Sequence, residues 1–171
     1  EFQKMYSEFK KKAGIFHREN DTKDKKSGNV CGWVAAARCA AIYRYTIEER
    51  GWDHLGVWNL GFGSPAKTQD FINRHTPMRC SHSTYSQTGG ERPKYHNHVR
   101  QAIDNGHPAI VLIDWGITKY HFVTVVGYSG DSVAIADYGG IYRVSWNDFD
   151  LLSYNGIVAM DAFRVLEVHA S

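Results

Sequence analysis

The sequence lacks an apolar run long enough to cross a membrane. No stretch of its 171 residues approaches the roughly 18 consecutive apolar residues that a spanning helix needs, and residues 1–15 lack the apolar core of a secretory signal. With 43% hydrophobic and 22% charged residues, the composition indicates a soluble globular domain of unknown localisation. Because the first residue is Glu1 rather than Met, we expect a piece of a larger protein, and delivery or secretion within that parent is compatible with this.

Internal repeats and low-complexity segments are missing too, which excludes solenoids and disordered tracts. The chain has the length of one domain and enough apolar residues to build a core. We therefore predict a single domain over residues 1–171, with residues 1–15 as a candidate N-terminal helical extension.

The chain has little net charge. The net charge is +2, and residues 1–26 hold 8 of the 20 basic and 5 of the 18 acidic side chains. The remainder, with 12 basic and 13 acidic residues, is nearly neutral. The short mixed runs Lys10-Lys11-Lys12 and Lys23-Asp24-Lys25-Lys26 are more typical of a solvated surface than of a phosphate-binding patch. We predict no nucleic-acid partner and no membrane span.

Cysteine is sparse, with three residues at Cys31, Cys39 and Cys80. An odd count without dense spacing favours reduced thiols over a disulfide scaffold. Cys31 and Cys39 are about 12 Å apart on a predicted helix, which is too far for a disulfide. A bond between Cys39 and Cys80 stays open.

Helical patterns come first along the chain and strand patterns follow. Helices are predicted over 2–12, over 31–45, over 68–75 with Thr68 as the cap, and from Pro93 to just before Gly106, with a loop over 76–92. Strands are predicted over 109–114, 120–128, 132–138, 141–145 and 157–168, with a short helix or turn over 146–153. This order predicts an α+β fold with a central helix packed on a mostly antiparallel sheet.

Cys31 stands where the alanine-rich helix begins. The unpaired N–H groups and positive dipole end of a helix N-terminus stabilise an anion such as a thiolate. Together with a nearby imidazolium, they lower a cysteine pKa from about 8.5 into a range of roughly 3.5 to 7.5. Gly32 would let a substrate approach the backbone closely. The alternative is that Cys31 packs like an alanine in a buried helix, as we expect for Cys39.

His121 opens an otherwise apolar strand, and Asp137 ends the next one. A carboxylate that holds the second ring nitrogen fixes the tautomer of the imidazole and supports its charged form. We predict a three-residue loop over 128–130, with Gly130 at positive φ, which pairs Gly127 with Asp131 and sets His121 directly opposite Asp137. A two-residue loop would turn them to opposite faces. Taken alone, Asp137 is more typical of a turn residue before Gly139-Gly140.

Three sequence blocks follow one another along the chain: NVCGWVAAARCAAIYRY, QAIDNGHPAIVLIDWG and KYHFVTVVGYSGDSVAIADYGG, with WNDFD after them. They resemble the papain-like cysteine peptidases, and within these the bacterial branch of the double-glycine leader, or bacteriocin-processing, peptidases. The resemblance implies a papain-like fold with Cys31 as nucleophile, His121 as general base and then acid, and Asp137 as orienting residue. It requires no cofactor and no metal.

The chain departs from this family at two places. Relatives often have proline after Cys-Gly, where this chain has Trp33, and the upstream amide that helps to hold the oxyanion is replaced by Lys25 at the papain-type spacing. We expect Asn20 to supply that amide, with Asn29 or a residue elsewhere as the alternatives. Loss of one oxyanion donor costs on the order of 3 kcal/mol in the barrier, which affects efficiency rather than mechanism.

The resemblance implies hydrolysis of peptide bonds through a thioester acyl-enzyme. The same three residues would also support deamidation, transglutamination or hydrolysis of a non-protein amide, because fold and triad do not fix the substrate. A non-catalytic module that binds peptides is a second alternative, which the intact set of three residues disfavours. A third hypothesis is an effector or toxin domain of a larger bacterial protein, with an immunity or inhibitor protein as its partner.

Nine histidines raise the question of a metal. His96-Asn97-His98 superficially resembles a metal-dependent nuclease motif, but residues two apart on a helix diverge by about 200° and the flanking sequence lacks paired cysteines. We expect His107 to lie at the surface and see no evident partner for the histidines at positions 17, 54, 75, 82 and 169.

Overall fold

The computed structural model describes residues 31–43, 45, 65–114, 120–137, 140–153 and 162–170. Its helices are α1 (Cys31–Ile42), α2 (Pro65–His75), α3 (Arg92–Asp104) and α4 (Trp146–Ser153). Its strands are β1 (Arg79–Ser86), β2 (Ala109–Asp114), β3 (Tyr120–Tyr128), β4 (Ser132–Asp137), β5 (Gly140–Ser145) and β6 (Ala162–His169). Among these residues, no helix is long and apolar enough to cross a membrane.

The six strands form one sheet in the order β1-β6-β2-β3-β4-β5, and every neighbouring pair is antiparallel. The α+β class and the papain-like arrangement implied by the resemblance are confirmed. The predicted order of helices before strands holds only in part: the helix that begins at Cys31 precedes all six strands, but β1 lies before α3.

Apolar side chains cover both faces of the sheet. On one face, α1 and α2 pack against Phe122 of β3 and Leu112 of β2. On the other face, α3 and α4 pack against Val123 and Val111 of the same two strands. Since successive strand residues point to opposite faces, each central strand contributes to both halves of the core. The middle of the sheet is therefore buried on both sides, which explains its near-continuous apolar sequence.

Two predictions for residues 65–92 are wrong. The segment 76–92 is not a loop throughout, because it contains β1, a polar edge strand held by backbone pairing with β6. Thr68 does not cap α2, which begins three residues earlier at Pro65 and leaves Thr68 buried within the helix. Proline fits the first turn because its missing N–H would be unpaired there anyway.

The second half of the chain follows the predicted pattern closely. α3 ends before Gly106, which adopts a positive φ of 82°, and α4 matches the predicted short helix over 146–153. The strand predicted over 157–168 appears as β6, with residues 154–161 outside the described part. The hairpin between β3 and β4 differs from the prediction: Tyr128 pairs with Val133, and a bulge at Val126 shifts the register.

Candidate active site

Cys31 is the first residue of α1, as predicted. Its side chain lies outside the described part of the structure. The helix behind it is set deep in the core: Ala35, Ala36, Ala37 and Ala40 have no solvent exposure and pack beside β3. The backbone of residue 31 is therefore attached to a fully buried part of the core.

His121 and Asp137 are in contact. The Nε2 atom of His121 lies 2.6 Å from the Oδ1 atom of Asp137, and the two side chains are only 11% and 5% exposed. A carboxylate only accepts hydrogen bonds, so Nε2–H of the imidazole donates. That hydrogen bond leaves Nδ1 as the nitrogen that can take a proton from another group.

The two residues meet diagonally and not directly. Thr124 pairs with Ala136, so the register puts Val123 opposite Asp137. His121 lies two residues before Val123 on β3. The predicted pairing of Gly127 with Asp131 is therefore wrong, and so is the positive φ of Gly130. The contact survives because a diagonal neighbour on the same face is still within reach of a long side chain.

Asp137 is the last residue of β4. It pairs with Gly140, where β5 begins at a φ of 135° that strongly favours glycine. The turn-residue interpretation and the partnership with His121 are thus compatible, since the same side chain lies at a strand end and accepts a buried hydrogen bond.

Strand alternation gives His121 a definite face. His121 has the same parity along β3 as Val123 and Val125, which pack against α3 and α4, whereas α1 packs against Phe122 on the opposite face. The side chain of His121 therefore lies on the face of the sheet opposite to α1, with packed side chains between them.

Cys39 and Cys80 are free, buried thiols. Burial raises the pKa of Cys39 far above its ordinary value, with the neighbouring Cys80 as a second cause. Burial also raises the pKa of the Cys80 thiol to about 12, and the charge of Glu167 adds to the effect. Both sulfurs are thus neutral packing groups at physiological pH, as we expected for Cys39. The disulfide left open between them is not present.

Two of the oxyanion candidates, Asn20 and Asn29, lie outside the described residues, as do His17 and His54. The remaining histidines have more partners than the sequence indicated. His96 and His98 do diverge along α3, with His96 Nε2 at 2.5 Å from Asp150 Oδ1 and His98 Nε2 at 2.9 Å from Glu167 Oε1.

A histidine cluster around Glu167 was missed by the sequence analysis. His107, expected at the surface, is half-buried and its Nδ1 atom lies 2.7 Å from Glu167 Oε2, while His169 Nε2 lies 3.1 Å from the same oxygen. Burial opposes ionisation of Glu167, but hydrogen bonds from His107 and His98 and the charge of His169 outweigh it and hold its pKa below the ordinary value. His98 and Glu167 are 69 positions apart, and no sequence motif joins them.

Comparison with known proteins agrees with the fold. No curated protein matches the chain. The family model described as the Peptidase_C39 like family matches residues 11–159, which include the Cys-Gly helix and the hairpin that carries His121 and Asp137. The chain therefore belongs to the Peptidase_C39 like family of papain-like cysteine peptidases.

Proposed function

We propose that this protein hydrolyses peptide bonds with Cys31 as nucleophile, His121 as general base and acid, and Asp137 as the residue that orients His121. The observation that carries the proposal is the buried hydrogen bond of 2.6 Å between His121 Nε2 and Asp137 Oδ1. An imidazole held in one tautomer by a buried carboxylate is the form that general-base catalysis needs.

The position of Cys31 adds a second argument. Cys31 is the first residue of α1 and His121 is the second residue of β3, so both belong to the beginnings of adjacent elements. The mechanism requires the thiol of Cys31 to reach His121 around the end of the sheet, because Phe122 lies between α1 and the face that His121 occupies. The positive end of the α1 dipole stabilises a thiolate at this position.

The reaction proceeds in two halves. Nδ1 of His121 takes the thiol proton of Cys31, the thiolate attacks the amide carbonyl carbon, and a C–S bond forms while the C–N bond breaks. The protonated His121 gives its proton to the leaving amine, which yields a thioester. His121 then deprotonates a water molecule that attacks the thioester, and the carboxylic acid leaves as the thiolate is restored. The Cys31 backbone N–H and the Asn20 amide are the proposed oxyanion donors.

Trapping the thioester tests this mechanism. The folded protein is mixed with peptide esters and amides, quenched in acid and digested, and the acylated residue is located by mass spectrometry. Acylation of Cys31, and its loss in Cys31→Ala but not in the matched control Cys39→Ala, supports the proposal. Turnover that persists in Cys31→Ala would contradict it.

Analysis of the released products in the same reaction distinguishes the other amide chemistries. Release of ammonia from a glutamine side chain would mean deamidation, and transfer to an added amine would mean transglutamination. A small amine released from a non-protein substrate would mean hydrolysis of another amide. Peptidase action is favoured by the family to which the chain belongs. A binding-only module is disfavoured because it has no use for the buried pair of His121 and Asp137.

The proposed specificity is that of the bacterial double-glycine leader peptidases, which is cleavage after a Gly-Gly pair. Peptides that differ only in Gly-Gly or Ala-Ala before the scissile bond test it directly. Selective cleavage after Gly-Gly supports a leader-processing role, and equal cleavage rejects it.

An effector or toxin role within a larger bacterial protein, with a cognate immunity or inhibitor protein, is the remaining proposal. Growth arrest on expression that Cys31→Ala abolishes would support it. Harmless expression of a fully active enzyme would reject it.

A further inference from the structure

Three imidazoles converge on one carboxylate far from His121. His98 Nε2 lies 2.9 Å from Glu167 Oε1, while His107 Nδ1 and His169 Nε2 lie 2.7 and 3.1 Å from Glu167 Oε2. The rings of His107 and His169 are 4.0 Å apart between centroids. They come from three different elements: α3, the turn before β2, and the end of β6.

The peptidase mechanism does not use this cluster. Ala109, at the start of β2, pairs with Glu167, whereas Ile113, near the other end of β2, pairs with His121. Four residues of strand rise about 3.4 Å each, so the two sites are separated by about 14 Å along the sheet. A group bound at Glu167 would not touch the reacting atoms.

We propose that His107, Glu167 and His169 form a binding site for a borderline divalent cation such as Zn²⁺. Their ligand atoms lie within 4.8 Å of one another. Bonds of about 2.1 Å in a tetrahedral site require ligand atoms about 3.4 Å apart. The contacts of 2.7 and 3.1 Å to Glu167 Oε2 would therefore lengthen slightly, and the remaining pair, within 4.8 Å, would shorten by at most about 1.4 Å. Two imidazoles and one carboxylate suit Zn²⁺, Co²⁺ or Ni²⁺ better than Mg²⁺ or Ca²⁺, and a water molecule completes the coordination.

The surroundings of the carboxylate fit this role. The O–H of Tyr85 lies 2.7 Å from His98 Nδ1, so it donates there and leaves the Nε2–H of His98 to donate to Glu167 Oε1. Such an outer hydrogen bond fixes the orientation of a ligating carboxylate. Oε2, the oxygen on the other side, is the one that His107 and His169 approach.

Solvent can reach the proposed site. The side chain of His169 is 41% exposed and that of His107 is 24% exposed, while Glu167 is 13% exposed. His169 also lines a surface groove with Asn73, Met78 and Cys80. An ion can therefore enter without unfolding of the core. Once bound, it would link the end of β6 to the turn before β2, which is a structural and not a catalytic effect.

Metal binding is tested with Zn²⁺ and Co²⁺ alone, in a Cys31→Ala background that removes the candidate thiolate ligand. Calorimetry at pH 7.5 should give one Zn²⁺ per chain, and Co²⁺ should give the visible absorption bands of a tetrahedral site. Zn²⁺ should raise the thermal unfolding midpoint, since it binds the folded state selectively.

Substitutions then assign the site. His107→Ala and His169→Ala should each raise the Kd for Zn²⁺ at least tenfold, and His98→Gln should raise it about tenfold through the outer hydrogen bond. The matched control His75→Ala, an exposed histidine on α2, should leave the Kd unchanged. His169→Gln serves if the alanine variant folds poorly. The proposal is overturned if Zn²⁺ shows no saturable binding below about 100 μM, the concentration range of weak surface sites. It is also overturned if both histidine substitutions leave binding intact.

Discussion

His121 and Asp137 are joined by a buried hydrogen bond of 2.6 Å although the strand register does not place them opposite each other. Continued without a bulge, the pairing of Tyr128 with Val133 would place Thr124 opposite Asp137; the bulge at Val126 places Val123 there instead, on the same face as His121, so the two side chains meet along the diagonal of that face. The contact depends on both hairpin geometry and side-chain length, which makes it sensitive to conservative substitution.

Replacement of the orienting carboxylate should impair turnover more than binding. In Asp137→Asn the amide can present N–H to Nε2, which favours the wrong tautomer of His121. We expect kcat to fall by about 10²- to 10⁴-fold with KM little changed, as for orienting carboxylates of hydrolytic triads. Steady-state kinetics beside Asp131→Asn, an exposed residue of the same hairpin, checks this. A loss of less than threefold would remove Asp137 from the mechanism.

The three cysteines should differ sharply in reactivity. Cys39 and Cys80 are buried with raised pKa values, so only Cys31 should react quickly with iodoacetamide in the folded protein at pH 7. Rates measured from pH 5 to pH 9 should show Cys31 as thiolate well below pH 8.5. Cys31→Ala should abolish the fast phase, and Cys39→Ala should preserve both labelling and turnover. Ordinary titration of Cys31 near 8.5 contradicts the activated-nucleophile hypothesis.

Stability should decline at alkaline pH because of Cys39. Its thiol titrates near 9.0 when unfolded and much higher when folded, so the unfolded state releases its proton first as the pH rises. The contribution is fully present well below pH 9 and is lost progressively above it, by about 1.4 kcal/mol at pH 10. Urea unfolding at pH 7.5 and pH 10 measures the difference, which should be smaller in Cys39→Ala. An equal difference in both proteins would show that Cys39 is not responsible.

Tyr95 should contribute to stability through its hydroxyl as well as its ring. The ring is fully buried and stacks on Phe163 at 4.6 Å, and the hydroxyl lies 2.9 Å from Ser153 Oγ. Tyr95→Phe keeps the ring but leaves Ser153 without this partner, so the free energy of unfolding should fall by about 1–2 kcal/mol. The control Tyr142→Phe, at a 45% exposed residue, should stay within about 0.5 kcal/mol. Equal effects would exclude the buried hydrogen bond as the cause.

The sequence predicted the elements that are stabilised by their own pattern. β2 and β3 are apolar runs, and α3 has proline near its start and Gly106 after its end. β1 was missed because RCSHSTYS has no apolar alternation, and it becomes a strand through pairing with β6. The contact of His121 with Asp137 was predicted, but its register was not, since nothing in the local sequence indicates the pairing of Tyr128 with Val133 or the bulge at Val126.

The cluster around Glu167 could not be read from the chain for a different reason. His107 and Glu167 are 60 positions apart and belong to elements that become neighbours only when β2 pairs with β6. The sequence indicates which face a strand residue occupies, but not which residues of distant elements share an end of the sheet. Candidate site residues on one hairpin were predictable, and those brought together by three elements were not.

The alanines of α1 have a mechanical consequence for residue 31. Ala35, Ala36, Ala37 and Ala40 have no rotatable side-chain torsions and no solvent exposure, so the contacts that these four residues make cannot absorb a disturbance by a change of rotamer. Enlarging one of them, as in Ala36→Val, would shift the whole helix as a rigid rod. The two carbon atoms that this substitution adds would thus displace the backbone of residue 31, five residues away.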